Sequence, residues 1–152
     1  MKALLSKLIN FLILKEQYML LILFILVHIK EKNNGREKRF FSSPLNKITI
    51  LALDSNRYRG DLDILSSHAG IRVLTLSQRP LGWLIKPFYN ELNFLRYVNA
   101  ERNSDDANSH KKAYNFMREF LRRFYKHVSV DCVTTVNYRY LEDFNWTKAS
   151  DR

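Results

Sequence analysis

The sequence predicts an α/β fold built on a small, doubly wound parallel sheet, and three observations lead to this prediction. Two β-rich runs, residues 48–53 and 71–77, are separated by a polar turn and a helical segment that together are too long for a hairpin. A third run, residues 130–136, has the apolar and β-branched content of a strand that is covered on both faces. The order of elements along the chain is then β-α-β-α-α-β-α, and right-handed crossovers make this a three-stranded parallel sheet with helices on both faces.

The helices of this prediction follow from apolar spacing and from the positions of glycine and proline. A short helix fits residues 61–69, and Gly70 separates it from the second strand. A turn at 78–82 precedes a helix over residues 83–98 that Pro87 interrupts. After a polar loop at 101–109, the clearest helix covers residues 110–127, and a last helix covers residues 141–149. The core-facing stripe of the clearest helix consists of Ala113, Phe116, Met117, Phe120, Leu121 and Phe124.

Composition limits the class of protein and of partner. A chain of 152 residues has room for one domain with an adequate core. The single cysteine, Cys132, excludes an intramolecular disulfide framework, and its apolar surroundings predict a small buried hydrophobic residue. The net charge of +10 predicts a polyanionic partner: nucleic acid, an anionic membrane surface or a phosphate-bearing substrate.

Residues 1–29 form an apolar N-terminal segment for which three interpretations stay open. The most apolar part, residues 18–29, would rise about 18 Å as a helix, which is short of the roughly 30 Å hydrocarbon core. The favoured interpretation is a membrane anchor that lies on the bilayer or marginally spans it. The alternatives are a signal peptide, which would lack a small-residue cleavage site, and a stretch without a folded role.

Basic residues support the membrane interpretation. Residues 30–46 are predicted to be a basic linker, and a cluster of lysines and arginines at its start directly follows the apolar segment. This arrangement is typical of attraction to anionic headgroups, and it favours a membrane-associated protein whose folded part, residues 47–152, is cytoplasmic. The basic side chains of helix 110–127 have no nucleic-acid docking motif around them, so nucleic acid is not the expected partner.

The best-marked catalytic and ligand-binding motifs are absent from the sequence. The first strand is not followed by GxGxxG, and the chain has no GK[ST] phosphate loop, no HExxH and no GxSxG. The four histidines lack metal-ligand spacing, and Ser104-Asp105-Asp106 lacks the pattern of a calcium loop. The sequence therefore predicts neither a metal site nor a cofactor, and it identifies no catalytic residue.

Two loops are the candidate substrate-binding elements, because open α/β sheets bind ligands beyond the carboxyl ends of their strands. One follows the first strand, where arginines could hold an anion at a helix N-terminus, and the other follows the third strand. An equally weighted alternative for the first loop is a plain turn in which Asp61 caps the helix. The candidate substrate-binding residues are Asp54, Ser55, Asn56, Arg57, Arg59, Asn137, Tyr138 and Arg139.

The three β-rich segments carry a resemblance to a known family. Segments 48–55, 70–76 and 131–140 resemble the N-terminal half of glycosyltransferases of the GT-B architecture, which have two Rossmann-like domains facing across a cleft. The resemblance covers roughly residues 47–150 and implies that residues 47–152 are a partial Rossmann-like domain on the acceptor side. It implies a glycan or lipid-linked acceptor, and a nucleotide-sugar only if a second, donor-binding domain is supplied.

Two functions are therefore expected from the sequence. The first is a glycosyltransferase-like, acceptor-side N-terminal domain that is incomplete without its donor-binding partner. The second is a non-catalytic α/β binding module that associates with a membrane through its apolar N-terminal segment. Whether the chain is an enzyme is left open by the sequence.

Overall fold

The computed structural model describes residues 2–33, 35–40, 46–53, 58–88, 104–135 and 146. Its helices are α1 (Lys2–Leu14), α2 (Tyr18–Leu26), α3 (Arg59–Ser67), α4 (Gln78–Ile85) and α5 (Ser104–Phe124), with a 3₁₀ turn at Lys86–Phe88. Its strands are β1 (Lys30–Asn33), β2 (Arg36–Arg39), β3 (Ile48–Leu53), β4 (Ile71–Leu76) and β5 (Cys132–Thr135).

The five strands form one mixed sheet in the order β2-β1-β4-β3-β5. β3 lies between β4 and β5 and is parallel to both, with Leu51 opposite Leu74 on one side and opposite Val133 on the other. The predicted α/β class and the three parallel strands are therefore confirmed. The prediction of a purely parallel sheet is wrong, because β1 is antiparallel to both β4 and β2.

The two additional strands come from the segment that was predicted to be a basic linker. β1 and β2 form a hairpin within residues 30–39, with Gly35 in its turn at a φ of 78°. Seven of the eight strand residues are charged, and charged side chains are poor indicators of a strand. They are, however, common on edge strands, where they oppose pairing with another chain, and β2 is such an edge.

Two ion pairs with buried cations connect the hairpin to α3 and to β4. The ammonium of Lys32 lies 2.8 Å from an Asp63 carboxylate oxygen on α3, and the guanidinium of Arg72 on β4 lies 2.8 Å from Glu31. Both cationic side chains are only 2% exposed. Because an unpaired buried charge is costly, both ion pairs favour this position of the hairpin, together with the pairing of β1 with β4.

The sheet has a hydrophobic core on each face. On one face, Leu51, Leu53, Leu74 and Leu76 belong to a large core that includes residues of α1, α2, α4 and α5. On the other face, Ala52 and Val73 pack with Leu62 of α3. This alternation along β3 and β4 is the period-two pattern of a sheet that is covered on both sides.

The N-terminal helices are part of the larger core. Ile9 and Ile13 of α1, Leu21 and Ile25 of α2, and Ile29 after it are each at most 5% exposed. The residues of the predicted anchor therefore have a folded role, which excludes the interpretation that they have none. Among the described residues, no helix combines the length and the apolar character needed to cross a bilayer.

Several element boundaries differ from the prediction. α4 begins at Gln78, inside the predicted turn, because Pro80 falls in the first helical turn, where its missing N–H costs little. α5 begins at Ser104, inside the predicted loop. Pro87 lies in the 3₁₀ turn after α4, where the prediction places the interruption. The remainder of that predicted helix lies outside the described residues, and so does the predicted last helix apart from Trp146. Cys132 is exposed, so the prediction that it is buried is wrong.

Candidate functional site

The structure describes one of the eight predicted substrate-binding residues. Only Arg59 lies among the described residues: it begins α3, its side chain is exposed, and its carbonyl oxygen accepts a hydrogen bond of 3.3 Å from the Lys32 ammonium. The others, Asp54, Ser55, Asn56, Arg57, Asn137, Tyr138 and Arg139, lie outside the described residues.

Tyr58, which is not among the predicted site residues, stabilises the carboxyl edge of the sheet. The Tyr58 hydroxyl lies 2.8 Å from the carbonyl oxygen of Leu53 and 3.2 Å from that of Thr134, so it links the ends of β3 and β5. Tyr58 is also the N-cap of α3, with no side-chain capping bond, and Asp61 lies in the first turn rather than at the cap. Asp61 is therefore not the capping residue of α3.

The outer side of α1 and α2 is an unusually apolar surface. Eight of the ten exposed large apolar side chains among the described residues belong to this helical pair or to the residue that follows it. A helix on a globular core ordinarily presents a polar outer side, so apolar residues on both sides require an explanation. We call these eight side chains the apolar face; they are Leu4, Leu8, Phe11, Leu14, Met19, Leu20, Leu23 and Val27.

Lysines are interspersed with the apolar face. Lys7 and Lys15 are exposed. Lys7 is three residues after Leu4 and four before Phe11, and Lys15 is four residues after Phe11, so helical spacing places the lysines on the same side of α1 as these apolar residues. The α2 helix, Tyr18–Leu26, contains no charged residue. The outer side of the pair thus combines a broad apolar surface with basic charges on α1.

A cleft of about 420 Å³ lies beside the turn between α1 and α2. Its aromatic side consists of Tyr18, Phe88 and Phe116, with ring centroids 5.7 Å apart for Tyr18 and Phe116 and 5.1 Å apart for Phe88 and Phe116. Its full lining is Ile13, Leu14, Glu16, Tyr18, Phe88, Lys112, Asn115 and Phe116. The cleft therefore combines apolar and aromatic walls with one carboxylate, one ammonium and one amide.

Glu16 has an unusual backbone conformation in this cleft. Its φ is 51°, and among the described residues it is the only one other than glycine with a positive φ. The cause is a Schellman motif that ends α1: the Gln17 N–H donates to the carbonyl of Leu12 (2.8 Å), and the Glu16 N–H donates to that of Ile13 (3.0 Å). Glycine is the usual residue at such a position, since a β-carbon there costs about 1 kcal/mol.

Charged side chains of α5 lie near Tyr18. The Arg123 guanidinium lies 4.6 Å from the Tyr18 ring centroid. Hydrogen bonds from Arg122 and Arg123 lower the pKa of Glu119 to about 2. Burial, helped by the negative charges of Glu16 and Glu119 and opposed by Arg123, raises the pKa of the Tyr18 hydroxyl above its ordinary value. Tyr18 therefore stays protonated at neutral pH, while its ring lies among several charges.

No group of three or more metal-ligating side chains comes together within the part of the chain that the structure describes. Comparison of the chain with known protein families, with curated proteins and with solved structures finds no match. Function must therefore be inferred from the surfaces themselves.

The apolar N-terminal segment is evident from the sequence, but which of its residues form the exposed apolar face is not, and neither is the cleft. One signal was available, because residues 18–26 have no polar side. A helix that buries only one side ordinarily has a polar side that faces water. The cleft depends on residues from 13 to 116 that only the folded chain brings together. Glu16 at a position that favours glycine becomes apparent only once the end of α1 is known.

Proposed function

We propose that this protein is a membrane-associated α/β binding module, which docks on an anionic membrane surface through the apolar face of α1 and α2. The observation that carries the proposal is the concentration of exposed apolar side chains on one helical pair. Concentrations of exposed apolar residues are typical of membrane or protein contacts. The helices would lie in the interface between headgroups and acyl chains, as amphipathic helices do.

Approximate energies suit reversible binding. Burying a fully exposed Leu or Phe side chain is worth about 1.5–3 kcal/mol, and the side chains of the apolar face are between 50% and 78% exposed. Four of them entering the interface together would contribute about 5 kcal/mol. A basic residue near an anionic surface adds about 1 kcal/mol, so Lys7 and Lys15 supply a smaller contribution that depends on salt.

The lysines favour a membrane over a second copy of the chain as the occupant of this face. A symmetric dimer through the same surface would bring Lys7 and Lys15 into an apolar interface, where lysine is depleted. At a bilayer, the same side chains can extend to the phosphates while their methylene groups remain in apolar surroundings. The net charge of +10 acts in the same direction.

Vesicle flotation of the full chain tests the proposal. The protein should float with vesicles that contain anionic lipid and float much less with vesicles of neutral lipid. Raising the salt concentration should weaken the binding without abolishing it, because the apolar contribution is not screened. A protein that floats with neither kind of vesicle, and that forms a concentration-dependent dimer instead, would assign the apolar face to self-association.

The glycosyltransferase-like function stays a prediction from the sequence. Seven of its eight substrate-binding residues lie outside the described residues, and the exposed Arg59 side chain does not by itself make a site. The membrane-associated module is the function that the described surfaces support.

A further inference from the structure

We propose that the cleft beside the α1–α2 turn binds the headgroup of a zwitterionic phospholipid, with the ammonium at Glu16 and the aromatic rings and the phosphate at Lys112. This inference rests on the proposed membrane association and adds to it a recognition site for one lipid at the edge of the docking surface.

The size and position of the cleft agree with a lipid headgroup. A volume of about 420 Å³ lies in the range of small-molecule sites. Leu14 lines the cleft and also belongs to the apolar face, where its side chain is 78% exposed. The cleft therefore adjoins the surface that we expect to contact the bilayer, and a headgroup could enter it while its acyl chains stay in the membrane.

Part of the cleft lining suits an ammonium group. Glu16 is the single acidic residue in the lining, and the half-buried Phe88 adds an aromatic ring, whose face attracts cations. A carboxylate combined with aromatic rings is the chemistry that binds substituted ammonium groups.

The backbone at Glu16 is a second, independent observation. The end of α1 would form at lower cost with glycine, yet the chain has a glutamate at this left-handed position, and Glu16 is one of the residues that line the cleft. Residues held in such conformations are concentrated at ligand sites. The Schellman motif accounts for the left-handed backbone, but it does not require a glutamate at that position.

The α5 residues of the cleft lining suit a phosphate. Lys112 and Asn115 are three residues apart on α5, so they lie on one side of that helix, and both are exposed. Among the described residues, Lys112 forms no ion pair. A simple anion would be repelled by Glu16, and a simple cation would be repelled by Lys112. A ligand with one charge of each sign, linked by a short chain, satisfies both residues.

The test is a titration of the full chain with glycerophosphoethanolamine and with glycerophosphocholine, followed by NMR. At least one of these soluble headgroups should cause saturable shifts at the lining residues, whereas ethanolamine alone and glycerol phosphate alone should bind much more weakly. Glu16→Gln and Lys112→Gln should each weaken binding about tenfold, which corresponds to about 1.4 kcal/mol. Lys111→Gln is the matched control, since the adjacent helical residue points about 100° away.

Glu16→Gly separates a ligand role from a structural one. It should raise the unfolding temperature, because glycine relieves the left-handed strain, and it should weaken headgroup binding as Glu16→Gln does. Absence of saturable shifts, or equal losses from Lys111→Gln and Lys112→Gln, would overturn the inference. Flotation in the absence of headgroup binding would remove this inference alone, whereas headgroup binding without flotation would remove the docking proposal on which it rests.

Discussion

Replacing Leu8 and Phe11 together by glutamate is expected to lower the affinity of the protein for anionic vesicles at least hundredfold. These side chains are 52% and 55% exposed, so their apolar surface is available to the membrane. Losing half of the burial energy of two large side chains removes about 2 kcal/mol. Two added negative charges near an anionic surface cost about 1 kcal/mol each, and every 1.4 kcal/mol is tenfold in affinity.

The matched control for this double variant is Ile64→Glu. Ile64 is 65% exposed and lies on α3, which covers the opposite face of the sheet. Its replacement introduces the same chemistry at a comparable apolar surface residue that the proposal leaves in water. Fluorescence or flotation assays over a range of lipid concentrations give the affinities. If the Ile64 variant lost as much binding as the double variant, nonspecific charge rather than the apolar face would account for the association.

Asp63→Ala is expected to destabilise the protein by about 2–3 kcal/mol. The substitution leaves the ammonium of Lys32, whose side chain is 2% exposed, with the carbonyl of Arg59 as its remaining described partner. Breaking a buried ion pair by removing one partner typically costs 3–5 kcal/mol. Because Asp63 is itself 36% exposed, water can replace part of the interaction, and the expected value is lower.

Lys32→Met is the control that separates the charge from the packing. It keeps an unbranched apolar side chain and removes the buried charge, so its cost should be below about 1 kcal/mol. Adding Lys32→Met to Asp63→Ala should recover most of the stability, as measured by urea unfolding of the four proteins. Equal destabilisation by both single variants, with additive losses in the double variant, would show that this ion pair does not hold the hairpin in place.

The parallel part of the sheet was predictable because its signals are local. Residues 48–53 and 71–76 are apolar runs whose side chains alternate between two buried faces. Predicting strands from such runs requires no knowledge of distant contacts. The hairpin was not predictable in the same way. Its charged residues have low strand propensity, and they are stabilised by pairing with β4 and by ion pairs to Arg72 and Asp63 that tertiary structure alone supplies.

The N-terminal segment shows how one pattern can have two causes. Its apolar character suggested a membrane anchor, and part of that character is explained by core residues such as Ile22 and Ile25. The remainder belongs to exposed residues such as Leu23 and Val27, which the core does not explain. A hydropathy profile does not distinguish the core residues from the exposed ones. Distinguishing them requires knowing which side of each helix is buried.

Depth measurement with a spin label tests the membrane docking most directly. In a Cys132→Ser background, which removes the exposed native thiol, nitroxides would be attached at Leu8→Cys and, as a control, at Ile64→Cys. On anionic vesicles, the label at residue 8 should become accessible to oxygen and shielded from a water-soluble nickel chelate, at a depth of roughly 5–10 Å. The label at residue 64 should remain in water. A vesicle-bound protein in which both labels stay equally accessible to the nickel chelate would contradict docking through the apolar face.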